Sequence, residues 1–344
     1  MIEYYNGKKV FLTGHTGFKG TWLSKILISA GAELYGYSRC SEKDFDFFRL
    51  SGASENMFTV KGDVRDLDGL KKAFDEIRPE IVIHMAAQPL VRESYVNPVE
   101  TYETNVLGTV NVLECVRNCD SVKSFLNVTT DKVYLNRELN EAFKEDEPLD
   151  GYDPYSNSKS CSELVTHSYK NCFFDDGRCA ISTARAGNVI GGGDFSKDRI
   201  IPDCVRAAVK GEKIAVRNPY STRPYQHVLE PVVAYLMIAA NPNNAGWYNI
   251  GPDDNDCYET GKLVDTFIKY WGQGISWINT SDGGPHEANY LKLDNTKFKR
   301  VFAWNPTWNI NKAVEKTVEW YKTWQANGNI SKCMDDQIKE FLYV

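Results

Sequence analysis

The sequence predicts an α/β chain: a Rossmann-type doubly wound parallel sheet with a smaller mixed α/β carboxyl-terminal part that binds substrate. Three observations carry this. Short apolar runs alternate with helical patterns through the first third of the chain, the first run opens into a glycine-spaced turn at Gly14, Gly17 and Gly20, and Tyr155 and Lys159 stand four apart in a later helical stretch.

Lys8-Lys-Val-Phe-Leu-Thr-Gly14 reads as an apolar strand entering a turn, and residues 21–30 carry helical apolar spacing before Gly31 ends it. Glycines in such a turn let backbone amides approach a pyrophosphate, whose charge the following helix's amino terminus favours. Residues 33–38 read as a second strand and residues 58–60 as a third, followed by Gly62-Asp63-Val64-Arg65-Asp66. Residues 80–87 give a fourth strand and residues 122–129 a fifth. Ligands of a parallel sheet gather at its strands' carboxyl ends, and Thr130, Asp131 and Lys132 fall at one.

On a helix, Tyr155 and Lys159 share one face, so the ammonium can lie near the phenol oxygen. A free tyrosine titrates near pH 10, about three units too high for a base at neutrality, and a neighbouring cation lowers the cost of phenolate. Asp153-Pro154 just before them are helix-start residues. Asp131 and Lys132 add an acid/base pair that simple alcohol oxidation does not use, which points to a second reaction in the same pocket. The alternative for this pair is a loop salt bridge, the usual fate of adjacent opposite charges.

Composition narrows the partners. The 344 residues are 42% hydrophobic and 25% charged, with a net charge of -6. That balance provides no basic field for nucleic acid, and a small-molecule partner is expected. No run approaches the roughly 18 apolar residues of a membrane span, and the opening residues lack a secretory layout, so a cytoplasmic protein is expected. The nine cysteines are scattered, which predicts reduced thiols, and the five histidines form no ligand-spaced pair, so no metal site is expected.

The segments GHTGFKGTWL, HMAAQPLVRESY, TNVLGTVNVLE, TTDKVY, GYDPYSNSK, RAGNVIGGGDF and RNPYSTRPYQHVLEP together resemble the extended short-chain dehydrogenase/reductase family, in its nucleotide-sugar dehydratase branch. The likeness runs from about residue 7 to residue 300; the last stretch, with Trp304, Trp308, Trp320 and Trp324, reads as packing. The resemblance implies an NAD cofactor held by Gly14, Thr16, Gly17, Phe18, Gly20, Asp63, Val64, Ala86 and Ala87 with Tyr155 and Lys159. It implies a catalytic set of Thr130, Asp131, Lys132, Tyr155 and Lys159, the lysine at 132 marking the cytidine-linked branch and a CDP-linked glucose. It further implies a homodimer paired through residues 100–118 and 154–171.

Two departures stand out. Tyr37-Ser38-Arg39-Cys40 lacks the acidic residue that usually binds the ribose hydroxyls, so Arg39 is either a 2′-phosphate ligand or a solvated charge, and NADP stays open beside NAD. Leu135 stands where the family commonly carries a polar or acidic residue.

For the nucleotide sugar, Gly187 to Gly193 is a small-residue loop suited to close approach of a ligand, and Arg217 to Arg223 supplies planar cations beside an aromatic ring. The resemblance makes Asn188, Arg217 and Arg223 the leading contacts, with Arg92 and Tyr290 also facing the pocket and His286-Glu287 helping to close it. Residues 1–187 plus 226–252 are expected to form the dinucleotide domain, and 188–225 plus 253–344 the substrate domain. A 4-epimerase or reductase would need the cofactor, Tyr155 and Lys159 without the elimination pair; a catalytically silent dinucleotide sensor would need neither pair.

Overall fold

The computed structural model describes residues 2–40, 42–139, 141–272, 274–280 and 290–343. Its first half alternates β1 (Lys9–Thr13), α1 (Phe18–Ser29), β2 (Glu33–Ser38), α2 (Glu42–Leu50), β3 (Phe58–Lys61), α3 (Leu67–Ile77), β4 (Ile81–His84), α4 (Val91–Val96), α5 (Pro98–Tyr102), α6 (Gly108–Arg117), β5 (Ser124–Val128), α7 (Pro154–Phe173) and β6 (Ala180–Ala186). A π-helical turn, Glu103–Leu107, joins α5 to α6. The chain then makes β7 (Val189–Ile190), α8 (Ile200–Lys210), β8 (Ile214–Val216), β9 (Thr222–Arg223), β10 (Gln226–His227), α9 (Leu229–Ala239) and β11 (Trp247–Ile250). β12 (Tyr258–Glu259), α10 (Thr260–Trp271), β13 (Trp277–Asn279), α11 (Thr296–Phe302), α12 (Ile310–Gln325) and α13 (Ile330–Leu342) complete it.

Seven strands form one parallel sheet in the order β11-β6-β5-β4-β1-β2-β3. Side chains alternate across it with period two. Val10 and Leu12 of β1 join the core cluster that holds Trp22, Val232 and Trp320, while Phe11 joins the opposite one with Phe74, Val112 and Phe125. Burial on both faces explains why the strands read as continuous apolar runs. The chain winds outward in both directions from β1 and β4, so the sequence-derived sheet is present, with β6 and β11 extending it. Three small pairs, β7 with β10, β8 with β13 and β9 with β12, build the remaining elements at the sheet's carboxyl edge.

Three boundaries differ from the sequence reading. α1 starts at Phe18 rather than at residue 21, because Gly17 is its extended N-cap and the glycine turn runs directly into the helix. β4 stops at His84, short of residue 87, because the Thr13 hydroxyl takes the Met85 and Ala86 amides at 3.0 and 3.1 Å and draws the backbone off the sheet. β5 spans 124–128, inside the expected 122–129.

Candidate active site

The sheet's direction of winding reverses between β1 and β4, and the glycine turn lies at that reversal. Gly14 has φ +76°, and a Cβ there would lie 2.8 Å from the Ala86 nitrogen. A Cβ on Gly20 would lie 2.2 Å from the Gly14 carbonyl oxygen. Only glycines let the first turn of α1 close on β1 and on the loop carrying Ala86 and Ala87. That cradle, with α1's first amides opening beside Phe18, fits the pyrophosphate of a dinucleotide. Thr16 closes the turn's far side through its hydroxyl, 3.0 Å from Ser38 Oγ.

At the edge beyond β2 and β3, Asp63 is bound by Arg65 at 2.7 Å, and the guanidinium holds its carboxyl below the usual range. Val64 is buried against Gly108, where a Cβ would meet Val64 Cγ2 at 2.7 Å. Arg39 reaches Glu100 of α5 at 2.9 Å, both side chains well exposed.

The loop that carries Thr130, Asp131 and Lys132 follows β5. Thr130 and Lys132 both donate to Asp131 Oδ1, each at 2.9 Å, and Lys132 also donates to Asn188 Oδ1 at 3.2 Å. Asp131 is fully buried and its Oδ2 has no hydrogen-bond partner, while Lys132 retains 30% side-chain exposure. Gly187 lets the chain pass this carboxylate, since a Cβ there would lie 2.9 Å from Oδ2. The pair expected from sequence is therefore an ion pair, with one carboxylate oxygen left over.

α7 supplies the other half. Asp153 caps it through the Ser156 amide at 3.0 Å and Pro154 occupies its first turn, so Tyr155 enters the pocket at the helix's amino end. Burial pushes the Tyr155 phenol up to about 12, opposed by a hydrogen bond with Thr130. This is opposite to the lowering expected from a neighbouring cation. The Lys159 ammonium donates to Val128 O at 3.1 Å, drawn to the free carbonyl where β5 ends, and burial brings it down to about 8. One turn further, the buried Glu163 accepts from Arg185 at 2.9 Å, from Thr183 at 2.7 Å and from Thr129. Burial pushes its carboxyl up, but Arg185 and these bonds outweigh it and bring it down to about 2.

The proposed sugar-nucleotide contacts divide. Asn188 is brought directly to Lys132. Arg223, buried in β9, donates to Thr222 O at 3.0 Å, and Thr222 bridges to Tyr290, whose carbonyl accepts from Asn136. Arg217 is bound to Asp198 at 2.6 Å, and Arg92 lies on α4. His286 and Glu287 lie outside the described residues. Leu135 pairs its amide with Pro148 O and is partly exposed.

Sequence reasoning missed Glu163, Lys19 and Arg199. Glu163 was findable, being four residues beyond Lys159 on the same face. Lys19 was hidden because α1 begins before the expected start, and Arg199, bound to Asp194 at 2.9 Å, acts electrostatically on Tyr155 from a segment distant in sequence. Among the described residues, no group of three or more His, Cys, Asp or Glu side chains is placed to hold a metal ion, and no helix is long and apolar enough to cross a membrane.

Comparison with known proteins places the chain in a family. The family model described as GDP-mannose 4,6 dehydratase matches residues 11–317. The CDP-glucose 4,6-dehydratase of Salmonella typhimurium is 42% identical, over 99% of this chain and 98% of its own. The dTDP-glucose 4,6-dehydratase of Bacillus anthracis in complex with NAD superposes with a TM-score of 0.78 at 21% identity, covering 94% of this chain and 99% of that one. The UDP-glucose 4-epimerase of Thermus thermophilus in complex with NAD gives 0.77 at 23%, covering 91% and 98%. At these identities the two structures establish the shared fold.

Proposed function

Because the chain belongs to the GDP-mannose 4,6-dehydratase family, we propose that it is a hydro-lyase converting CDP-D-glucose to CDP-4-dehydro-6-deoxy-D-glucose. The observation that carries this reading is the Asp131–Lys132 pair at the end of β5, to which Thr130 donates on one side and which Asn188 joins on the other. An epimerase needs the phenol alone; a pair poised beside it serves elimination.

The residues divide the work as follows. Tyr155 takes the proton of the sugar's 4-hydroxyl as C4 is oxidised, and the Thr130 hydroxyl, which acts on that phenol and donates to Asp131, relays the proton to the carboxylate. Lys159, kept as an ammonium beside Glu163, favours the phenolate that burial alone disfavours. A nicotinamide dinucleotide on the glycine turn supplies the acceptor for the C4 hydride and the donor of hydride to C6. The 4-ketone acidifies the C5 proton, which Lys132 removes while Asp131 protonates the departing 6-hydroxyl to water, and Lys132 returns its proton to C5 when hydride is delivered to C6. Asn188 orients Lys132 for that step; Arg217, Arg223 and Tyr290 bind the nucleotide diphosphate from the 188–225 and 253–344 part of the chain, and Arg92 binds it from α4 of the dinucleotide part.

NAD is the proposed dinucleotide rather than NADP, because Glu100 already holds the Arg39 guanidinium that would bind a 2′-phosphate. A homodimer is proposed through an apolar face on which Val96, Val99, Leu107 and Leu164 are 74%, 69%, 55% and 51% exposed. Nine unpaired cysteines suit a cytoplasmic setting.

The test is incubation of the purified protein with CDP-, UDP-, GDP- and dTDP-glucose, followed by mass analysis. Loss of one water from CDP-glucose supports the proposal. A product that retains the 6-hydroxyl favours the epimerase or reductase reading instead, and a loss of water from a different nucleotide sugar reassigns the base. In the same assay, Lys132→Ala should lose at least about 100-fold in dehydration; dehydration at the normal rate would remove its role.

A further inference from the structure

β2 ends at Ser38 and runs on to Arg39 and Cys40, without the carboxylate that ordinarily binds the ribose hydroxyls of NAD from this place. The Ser38 hydroxyl is engaged by the protein itself: it lies 3.0 Å from Thr16 Oγ1 and accepts the Cys40 amide at 3.2 Å. Carboxylates nevertheless reach this end of the sheet, from the helical segment that follows α4. Glu100 of α5 accepts from Arg39 Nη1 at 2.9 Å, and Glu103 of the π-helical turn lies 3.5 Å from Arg65 Nη1. Arg65 is wrapped on Asp63, with Nη2 at 2.7 Å and Nε at 3.1 Å from both carboxylate oxygens. Asn111 of α6 holds that loop in place, donating to Val64 O at 2.9 Å and to Arg65 O at 3.1 Å. Two guanidiniums, of Arg39 and Arg65, thus meet three carboxylates, of Asp63, Glu100 and Glu103, and one negative charge is left over.

We propose that Glu100 is a specificity-determining residue that biases the dinucleotide site against a 2′-phosphate: α5 supplies the carboxylate that the end of β2 lacks. This rests on the NAD reading and deepens it. A 2′-phosphate brings close to two negative charges. To bind it, Arg39 must leave Glu100, and the carboxylate left behind then faces the phosphate. Arg65 is no substitute for Arg39, because Asp63 takes its Nε and Nη2 and Glu103 lies against its remaining nitrogen. Glu103, at the longer distance, adds a second and weaker repulsion. A free 2′-hydroxyl meets no such conflict and leaves the Arg39–Glu100 pair intact. The two side chains are 58% and 42% exposed, so the pair is a modest, salt-sensitive clamp and the bias it imposes shares that character.

The test is equilibrium binding of NADH and of NADPH to the whole protein, followed by nicotinamide fluorescence without sugar substrate, and its readout is the ratio of the two affinities. Glu100→Gln should raise NADPH affinity about 10-fold, the scale of removing one charge beside a phosphate, and change NADH affinity by less than about 3-fold. Glu103→Gln should raise NADPH affinity by only about 2-fold, since its carboxylate is the more distant. Adding Arg39→Met to Glu100→Gln should abolish most of the gain, because the two residues act as one pair. Raising the salt from about 0.05 to about 0.5 M should shrink the gain of Glu100→Gln to below about 3-fold. An unchanged ratio in Glu100→Gln overturns the proposal, as does a gain that persists in the double variant. A wild-type preference for NADPH refutes the NAD reading instead, and the shift of the ratio in Glu100→Gln still judges Glu100. Binding of neither dinucleotide overturns both.

Discussion

Replacing Glu163 by Gln isolates the charge beneath the Thr130–Lys132 loop. Glu163 and Arg185 have side-chain exposures of 0% each and meet at 2.9 Å. The substitution leaves the guanidinium with neutral acceptors only, Tyr134 Oη at 2.8 Å, Glu145 O at 3.0 Å and the new amide oxygen. Stranding a buried cation in this way costs about 3–5 kcal/mol. At on the order of 2 °C per kcal/mol for a chain of this size, the melting midpoint should fall by roughly 6–10 °C. Removing the cation as well, in Glu163→Gln with Arg185→Met, should recover about 2–3 kcal/mol of that loss, because the two residues share one network. Function provides a separate reading. Glu163 raises the Lys159 ammonium, so in Glu163→Gln the alkaline loss of activity should begin below the wild-type value. Thermal and urea unfolding of the two single variants and the double variant, with pH profiles of the Glu163→Gln protein, measure both effects. Strictly additive melting shifts, or an unmoved alkaline limb, would refute the described coupling.

Further outcomes follow from other parts of the molecule. Lys159 must be cationic to favour phenolate, so single-turnover NADH formation should decline as pH rises through about 8, well below an ordinary lysine; a limb near 10 would contradict this. Glu230 is buried and its carboxyl is pushed from 4.5 up to about 8. Its folded value is the higher one, so the stability it contributes is full below 4.5 and lost as pH rises through 8, a loss approaching roughly 3–5 kcal/mol. Glu230→Gln should therefore melt progressively higher than wild type between pH 6 and 9, and parallel curves would be the contrary result. Gly20→Ala forces a Cβ into the Gly14 carbonyl, so NADH binding followed by fluorescence should weaken at least about 10-fold, the scale of 1.4 kcal/mol. Val99→Glu should shift the protein toward monomer in analytical ultracentrifugation, with an unchanged sedimentation coefficient removing that face as the dimer contact.

Much of this architecture was legible because local rules and packing agree. The strands of the first half announce themselves as apolar runs, since a sheet covered on both faces needs no alternation. Asp153-Pro154 fixed the start of α7, and with it the place of Tyr155. The exact entry of α1 was not legible, because Phe18-Lys19 gains its helical conformation from Gly20 closing on Gly14, a contact across the turn rather than a propensity. The end of β4 was set by the Thr13 hydroxyl, on a strand seventy residues away in the chain. At the site, the juxtaposition of Asp131 and Lys132 could be read directly. The protonation of Tyr155 could not, because sequence gives its cationic neighbour and leaves out its burial. Arg199 reaches the pocket only through tertiary folding, and nothing in its local sequence marks it.

α1 carries one further implication, for synthesis. The helix that completes the dinucleotide turn is held at its far end by α13: Lys25 pairs with Asp335 at 2.7 Å and donates to Ser331 Oγ at 2.9 Å. Trp22, one turn earlier, donates to Gly192 O at 2.9 Å, on a glycine so tightly covered by Trp320 that a Cβ would lie 1.9 Å from its ring. A nascent chain emerging from the ribosome thus exposes its glycine turn early, gains the Trp22 clamp once Gly192 is made, and lacks the Lys25 clamp until residues beyond 330 have left the tunnel. The helix of the glycine turn, among the first elements made, is thus fastened by the last one.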